Sequence, residues 1–185
     1  MRTIARREIT DWQTYEDARD AIRREVMREK ERRRVHVGDH LTFLFENALT
    51  MRYQVQEMVR AERIVRERDI EHELATYNAL LGGPGELAAT LLIEIDDPEA
   101  RARLLREWKD LPRHVYVEVE GGARVPARFD EGQVGEEKLS SVQYLKFDVG
   151  GRVPVAVGCD LAPIAARTVL DADRRAALEA DLRDG

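Results

Sequence analysis

Cysteine and long apolar runs are nearly absent from this sequence of 185 residues. Its one cysteine, Cys159, excludes an internal disulfide and any cysteine-clustered zinc or iron–sulfur site. No apolar run approaches the roughly 20 residues that a membrane helix needs, and the start of the chain, MRTIARREIT, lacks the apolar core of a signal peptide. We therefore expect a cytoplasmic protein with no membrane association.

The common catalytic and nucleotide-binding motifs are also missing. The sequence contains no Walker loop, GxGxxG, GxSxG or HExxH pattern. The segment GGPGE at 82–86 has the glycines of a phosphate loop but lacks the Lys-Ser/Thr pair that follows in such loops, so we interpret it as a turn. The sequence therefore does not decide whether the protein is an enzyme, and it indicates no particular cofactor.

Charge is plentiful but unevenly distributed. The chain is 36% charged with a net charge of −6, yet residues 1–34 contain 11 Lys and Arg against 8 Asp and Glu. The run REKERRR at 28–34 is compatible with nucleic-acid binding. It is equally typical of a helix C-terminus, where cations complement the helix dipole. We favour the helix end, because no aromatic or glycine-loop element for nucleic acid accompanies the run.

Helical periodicity dominates the first half of the chain. A capping box formed by Thr10 and Gln13 predicts a helix over about 11–33. Asp39 is then expected to cap one long helix over about 40–66, although Leu41, Phe43 and Phe45 also alternate as they would in a β-hairpin, and this alternative stays open. A third helix is predicted from Asp69 to the GGPG turn.

Strand patterns dominate the second half. The sequence predicts a helix capped by Asp97 with Pro98 in its first turn, hairpin turns at each of two Gly-Gly pairs, and a closing helix over about 171–182. The expected fold class is α+β, with a layer of about three helices packed on a mainly antiparallel C-terminal sheet. We expect a single domain over residues 1–185, with a helical half at 1–83 and a sheet-rich half at 86–185. Between two of the strands, the polar loop that starts at Arg128 is either a partner surface or a flexible connection.

Polar residues interrupt the apolar pattern of FENALTMRYQVQEMVRAERI at 45–64. On a continuous helix Glu46, Thr50 and Glu57 share one flank, whereas Glu62 falls within the apolar stripe. A carboxylate there needs a partner, and Arg66 stands four residues further on. We therefore expect Glu62 to be buried and paired.

The same carboxylates suggest an alternative function as a metal-dependent oxidoreductase. Its ligands would be Glu46, Glu57, Glu62 and Glu73, since carboxylates in helical bundles hold di-iron or manganese centres. The usual Glu-x-x-His signature is missing, and Asp69-Ile-Glu-His72 is the nearest match. A structural network of ion pairs is therefore the preferred interpretation.

Four segments of the chain resemble a known family: VGDHLTFLFENALTMRYQVQEMVRAERI, HELATYNALL, GELAATLLIEI and RFDEGQ with SSVQYLKF. They are similar to an uncharacterised bacterial domain-of-unknown-function family, number 3501. The resemblance implies a redox or oxidative-stress setting, because such genes often lie near genes for rubrerythrin-like and iron–sulfur oxidoreductases. The residues that it singles out are Glu46, Asn47, Gln54, Gln56, Glu57, Arg60, Glu62, Glu73, Tyr77 and Asn78.

These observations favour an accessory or binding protein over a catalyst. It would engage a redox partner protein or a small ligand through a polar surface. The alternatives are the metal-dependent oxidoreductase and, second, nucleic-acid binding through the basic N-terminal helix. The candidate binding residues are Glu46, Gln54, Glu57, Arg60, Glu62, Glu73 and Tyr77.

Overall fold

The computed structural model describes residues 2–184, which form six α-helices and eight β-strands. The helices are α1 (Trp12–Glu31), α2 (Ala48–Ala61), α3 (Glu67–Leu80), α4 (Pro98–Glu107), α5 (Leu111–His114) and α6 (Ala172–Arg183). The strands are β1 (Arg34–Val37), β2 (Leu41–Glu46), β3 (Glu86–Ile93), β4 (Val115–Val119), β5 (Arg124–Pro126), β6 (Val142–Asp148), β7 (Pro154–Cys159) and β8 (Ala166–Val169). The fold class is α+β, as the sequence predicts.

The strands form two antiparallel sheets rather than one. The first sheet has the order β1-β2-β3-β6, and the second has the order β5-β4-β7-β8. Gly121 and Gly122, both with positive φ, make the predicted hairpin turn between β4 and β5. The second Gly-Gly pair, Gly150 and Gly151, joins β6 of the first sheet to β7 of the second, so the hairpin predicted there is wrong.

The main core lies between the two sheets. Alternate residues of each strand point inward, because successive side chains of a strand lie on opposite faces. The first sheet supplies Phe43, Leu91 and Phe147, and the second supplies Val117 and Val157, all fully buried. Leu105, Trp108 and Leu178, from the α4 and α6 regions, pack into the same cluster.

The two sheets approach each other at both edges. On one side the backbone of Arg128, just beyond β5, exchanges two hydrogen bonds with Lys146 of β6, at 2.7 and 2.8 Å. On the other side the Thr168 hydroxyl of β8 donates to the carbonyl of His36 in β1, at 2.6 Å. The eight strands therefore come close to forming a closed barrel.

The predicted long helix over 40–66 is wrong, and the hairpin alternative is correct for its first part. Residues 41–46 form β2, paired with β1 through a turn at Gly38, whose φ is +62°. Asp39 lies in that turn and caps no helix. All six residues of β2 are buried, since one face meets the core and the other lies under helices. A strand covered on both faces gives a continuous apolar run, which periodicity alone does not separate from a helix.

Helices α1, α2 and α3 form a layer on the outer face of the first sheet. Their starts differ slightly from the predicted ones. The Asp11 carboxylate caps α1 by accepting from the backbone N–H groups of Gln13 and Thr14, which replaces the predicted Thr10 box. The α3 helix begins at Glu67, one turn earlier than a cap at Asp69 would allow.

Candidate functional site

Glu46 is buried at the junction of β2 and α2. It lies on the outer face of the first sheet with 1% of its surface exposed. Its carboxylate accepts hydrogen bonds from the hydroxyls of Thr50, at 2.5 Å, and Thr90, at 2.9 Å. The pairing of β2 with β3 brings Thr90 close, and the first turn of α2 brings Thr50 close.

Lys30, near the end of α1, is a second buried charged side chain. Only 8% of Lys30 is exposed, and its ammonium lies 5.5 Å from the centre of the Tyr53 ring. Burial lowers the pKa of Lys30, and the charge of Glu46 opposes that shift. Glu46 and Lys30 are therefore two buried side chains of opposite charge that interact through space.

Glu57 belongs to a separate network that joins α1 to α2. Its carboxylate accepts two hydrogen bonds from Arg19, both at 2.8 Å, and one from the Tyr15 hydroxyl, at 2.7 Å. The hydrogen bonds from Arg19 lower the pKa of Glu57 in spite of its partial burial. Arg60 adds a longer contact at 3.7 Å and also binds Glu16. Glu57 and Arg60 thus serve helix packing.

Two amide side chains from the family-like segments hold the start of the chain. Gln56 accepts from the backbone N–H of Thr10 at 3.0 Å and donates to its carbonyl at 2.9 Å. Asn78 does the same with Ile4, at 2.8 and 3.0 Å. Asn47 caps α2 and donates to Asp181. Apart from the local cap made by Asn47, these contacts join distant parts of the chain, so the sequence does not reveal them.

Glu62 is exposed, so the predicted buried pair is wrong. Helix α2 ends at Ala61, and Glu62 is its C-cap. Arg63 then adopts φ of 51°, which turns the chain away from the helix axis. Arg66 stands at the start of α3 instead of one turn along the same helix. The apolar stripe therefore stops before Glu62 reaches the core.

The four predicted metal ligands are not brought together. Glu62 and Glu73 line an open groove of about 430 Å³ with Asp69 and His72. Glu46 is instead bound to threonine hydroxyls, as described above. Within residues 2–184, no group of three or more Asp, Glu, His or Cys side chains is arranged to hold a metal ion.

The basic run at 28–34 is largely engaged in internal contacts. Arg33 makes two hydrogen bonds of 2.8 Å to Asp181 of α6, and both side chains are buried. Arg32 and Arg34 lie 3.8 Å from Glu29 and Glu31, respectively. Lys30 is also buried, so within this run Arg28 and Arg32 carry most of the exposed positive charge.

A partly apolar cleft lies between α3 and β6, and the sequence did not predict it. Its volume is about 540 Å³, and Leu80, Phe129, Tyr144 and Leu145 form its apolar part. Tyr144 stays 36% exposed. We name this depression the α3–β6 cleft.

Cations and amides surround the apolar part of the α3–β6 cleft. Lys146 donates to the carbonyl of Ala79 at the end of α3, at 2.8 Å, and Arg128 binds Glu86. The Gln133 side chain pairs with the backbone of Tyr144, accepting at 2.7 Å and donating at 3.2 Å. The segment after Arg128 is thus anchored to β6. In the sequence, the cleft could have been anticipated only from Tyr144 and Lys146, which are two positions apart and so lie on the same face of one strand.

Tyr77 and Gln54 complete the predicted residues. Tyr77 is half-buried, and burial raises its pKa, with further contributions from the charges of Tyr144 and Glu73. Gln54 is half-buried on α2.

Comparisons with known proteins agree with the resemblance in the sequence. A family model described as "Protein of unknown function (DUF3501)" matches residues 3–182. The chain belongs to the DUF3501 family. A crystal structure of a novel protein of unknown function from Burkholderia pseudomallei is 31% identical to this DUF3501 chain, with a TM-score of 0.89. The match covers 98% of this chain and 100% of that one.

No curated protein matches the DUF3501 chain. The family model confirms the predicted family membership. Neither the family description nor that of the similar structure names an activity. Between residues 2 and 184, no helix has the length and apolar character needed to span a membrane.

Proposed function

We propose that this DUF3501 protein is a binding protein without its own catalysis, which engages a redox partner protein or a ligand through the α3–β6 cleft. The observation that carries this proposal is the exposed Tyr144 in a cleft with an apolar floor and a charged rim. Aromatic residues and arginine are enriched at the centres of protein interfaces. The cleft has both, in Tyr144, Phe129 and Arg128.

The polar residues of the helices support the proposal indirectly, because most of them are already engaged within the chain and are not free to bind a partner. Glu57, Gln56 and Asn78 all have intramolecular partners that fix helices or the start of the chain. Glu46 is too deeply buried to meet a macromolecule. Among the predicted residues, Tyr77 and Glu73 lie on α3, the helix whose end forms one side of the cleft.

The test compares capture of partners from native lysate by matched variants. Tyr144→Ala removes the exposed ring from the cleft, whereas Val169→Ala trims an exposed apolar residue of β8 in the second sheet. We expect the wild-type protein and Val169→Ala to recover the same specific protein or small molecule. Tyr144→Ala is expected to recover at least tenfold less, with an unchanged far-UV spectrum.

Two results would contradict the proposal. One is equal recovery of that molecule by Tyr144→Ala. The other is turnover of a substrate by the purified protein alone, which would make it an enzyme. Tyr144→Phe serves to separate loss of the ring from loss of the hydroxyl.

A further inference from the structure

Residues 2–10, which we name the N-terminal strap, lie against α2 and α3. The strap contains one 3₁₀ turn at Arg6–Glu8 and otherwise extended backbone around it. Where the strap backbone bonds to the rest of the described chain, its partners are side chains of these two helices. The strap does not pair with any β-strand that the structure describes. The strap is thus held as a bound peptide would be.

The two amide side chains described above act as clamps on the strap backbone. Asn78 of α3 bonds both the N–H and the carbonyl of Ile4. Gln56 of α2 bonds both groups of Thr10. Each clamp reproduces the pair of hydrogen bonds that a neighbouring β-strand would make, so each recognises a peptide backbone whatever its side chain.

Two isoleucines anchor the strap in an apolar groove. Ile4 is 3% exposed and Ile9 is 4% exposed. Both belong to the cluster lined from α2 and α3, whose other buried members are Met51, Val55, Val59, Ile70, Leu74 and Leu81. We name this lining the α2–α3 groove. It provides selectivity for aliphatic side chains five positions apart.

An arginine between the two isoleucines adds charge recognition. Arg6 donates two hydrogen bonds to Glu67, at the first position of α3, at 2.6 and 2.8 Å. This two-pronged geometry between a guanidinium and a carboxylate is more specific than a single ion pair. The groove thus recognises a backbone, two aliphatic side chains and one guanidinium.

We propose that the α2–α3 groove is a peptide-binding site that the strap occupies within its own chain. Its occupant in a complex is a segment of a partner protein with the pattern aliphatic-x-Arg-x-x-aliphatic, which makes the same 3₁₀ turn between its two aliphatic residues. The site is separate from the α3–β6 cleft and does not depend on the function proposed for that cleft. Because the strap is tethered, its effective concentration is in the millimolar range, so a free segment competes only when the strap is weakened.

The test adds a fluorescein-labelled peptide, RTIARREIT, to full-length proteins and follows fluorescence anisotropy. The Ile4→Ala/Ile9→Ala variant weakens the strap and leaves the groove intact. We expect this variant to bind the peptide at least tenfold more tightly than the wild-type protein does. The matched control is Thr3→Ala/Arg7→Ala, which alters two exposed strap residues and should behave like the wild type.

Two further measurements check which side chains the groove selects and whether the α3–β6 cleft takes part. The same peptide with both isoleucines replaced by alanine should lose binding. Tyr144→Ala, made in the strap-weakened protein, should bind the peptide unchanged. Failure of the cleft experiment therefore leaves this one standing, and the reverse also holds.

Absence of peptide binding to a folded Ile4→Ala/Ile9→Ala variant would overturn the proposal. If that variant does not fold, hydrogen exchange of the wild-type protein decides instead. The amides of Ile4 and Thr10 should exchange much faster than those of the central strand β3, because the strap opens locally. Exchange at the same slow rate as β3 would show that the strap does not open, which also overturns the proposal.

Discussion

At the scale of single residues, Lys30 and Glu46 form a buried pair with a large desolvation cost. Removing two charges from water costs several kcal/mol per ion, and the cost is offset only when hydrogen bonds and the opposite charge are well placed. Glu46 has two hydroxyl donors and Lys30 within the same buried region. The hydrogen bonds of Glu46 to Thr50 and Thr90 therefore tie β2 to the start of α2 and to β3.

We predict that Glu46→Gln lowers the free energy of unfolding by about 1–3 kcal/mol, because it disrupts the hydrogen bonds of Thr50 and Thr90 to a buried carboxylate and removes a charge that acts on Lys30. Combining it with Lys30→Met should cost less than the sum of the two single changes, by about 1 kcal/mol or more. Urea unfolding measures both quantities. Glu62→Gln, at an exposed site, is the control and should change stability by less than about 0.5 kcal/mol.

The lowered pKa of Glu57 predicts a pH dependence of stability. A carboxyl whose pKa is lower in the folded protein stabilises the fold above its unfolded value, here near 4.5. That contribution is lost as the pH falls through the folded pKa. The stability difference between the wild type and Glu57→Gln should thus be constant above about pH 5.5 and shrink below pH 4.5.

Thermal unfolding at a series of pH values measures this difference. Glu71→Gln, at an exposed position of α3, is the matched control and should show no such trend. A difference that stays constant down to pH 2 would contradict the prediction. It would mean that Arg19 does not hold the Glu57 carboxylate in solution.

At the scale of secondary-structure elements, some local features were predicted from the sequence, whereas distant partners were not. The cap of α4 by Asp97 and the hairpin turn at Gly121 and Gly122 depend on neighbouring residues, and both are confirmed. The assignment of β2 depends on what covers its two faces, so it failed as a helix. The exposure of Glu62 depends on where α2 ends. The chain leaves the helix direction at Arg63, which adopts a positive φ although it is not glycine, so the sequence gives no signal for this end.

The candidate site follows the same division. The resemblance singled out Tyr77 and Glu73 of α3, but the cleft is built by the end of α3, β6 and the segment after Arg128. No spacing rule joins residues 80, 129 and 144. The clamps made by Gln56 and Asn78 are likewise contacts over 46 and 74 positions.

An element-scale prediction concerns α6, which is docked by the buried pair of Arg33 and Asp181. Asp181→Leu should cost about 3 kcal/mol, because the buried Arg33 guanidinium loses two hydrogen bonds and keeps Glu29 as its remaining carboxylate partner. Adding Arg33→Met should recover much of that loss, since the pocket then holds two apolar side chains. Urea unfolding tests this, and a double variant as unstable as Asp181→Leu alone would contradict it.

The exposed pair of Arg183 and Glu179 on the same helix provides the control. Its arginine is well exposed, and such surface pairs contribute about 0–1 kcal/mol. Arg183→Ala should therefore have little effect. A large loss there would indicate that any change to α6 undocks it, whatever the role of Asp181.

At the scale of the whole molecule, strands from both halves of the sequence form the first sheet. β1 and β2 come before the Gly82–Gly85 turn, whereas β3 and β6 come after it. The prediction of a single domain over residues 1–185 therefore has a direct thermodynamic consequence. Both halves should unfold together in one cooperative transition.

The two tryptophans test this prediction. Trp108 is buried between the sheets, and Trp12 packs against the helical cluster. We prepare Trp12→Phe and Trp108→Phe, so that each variant has one fluorescent reporter. Within each variant, the urea midpoint from fluorescence should equal the midpoint from far-UV circular dichroism, and two separate midpoints would indicate two domains.

The coverage of the β1 edge has a consequence for how the chain emerges from the ribosome. The carbonyl of His36 is covered by Thr168, and that of Arg34 accepts from Arg174 at 2.7 Å. Both covering residues are synthesised more than 130 positions after the strand that they protect. Until then, a nascent chain presents an open strand edge, which is a template for pairing with other chains. Ribosomes stalled before residue 168 should therefore carry chains that bind chaperones more strongly than chains released at full length.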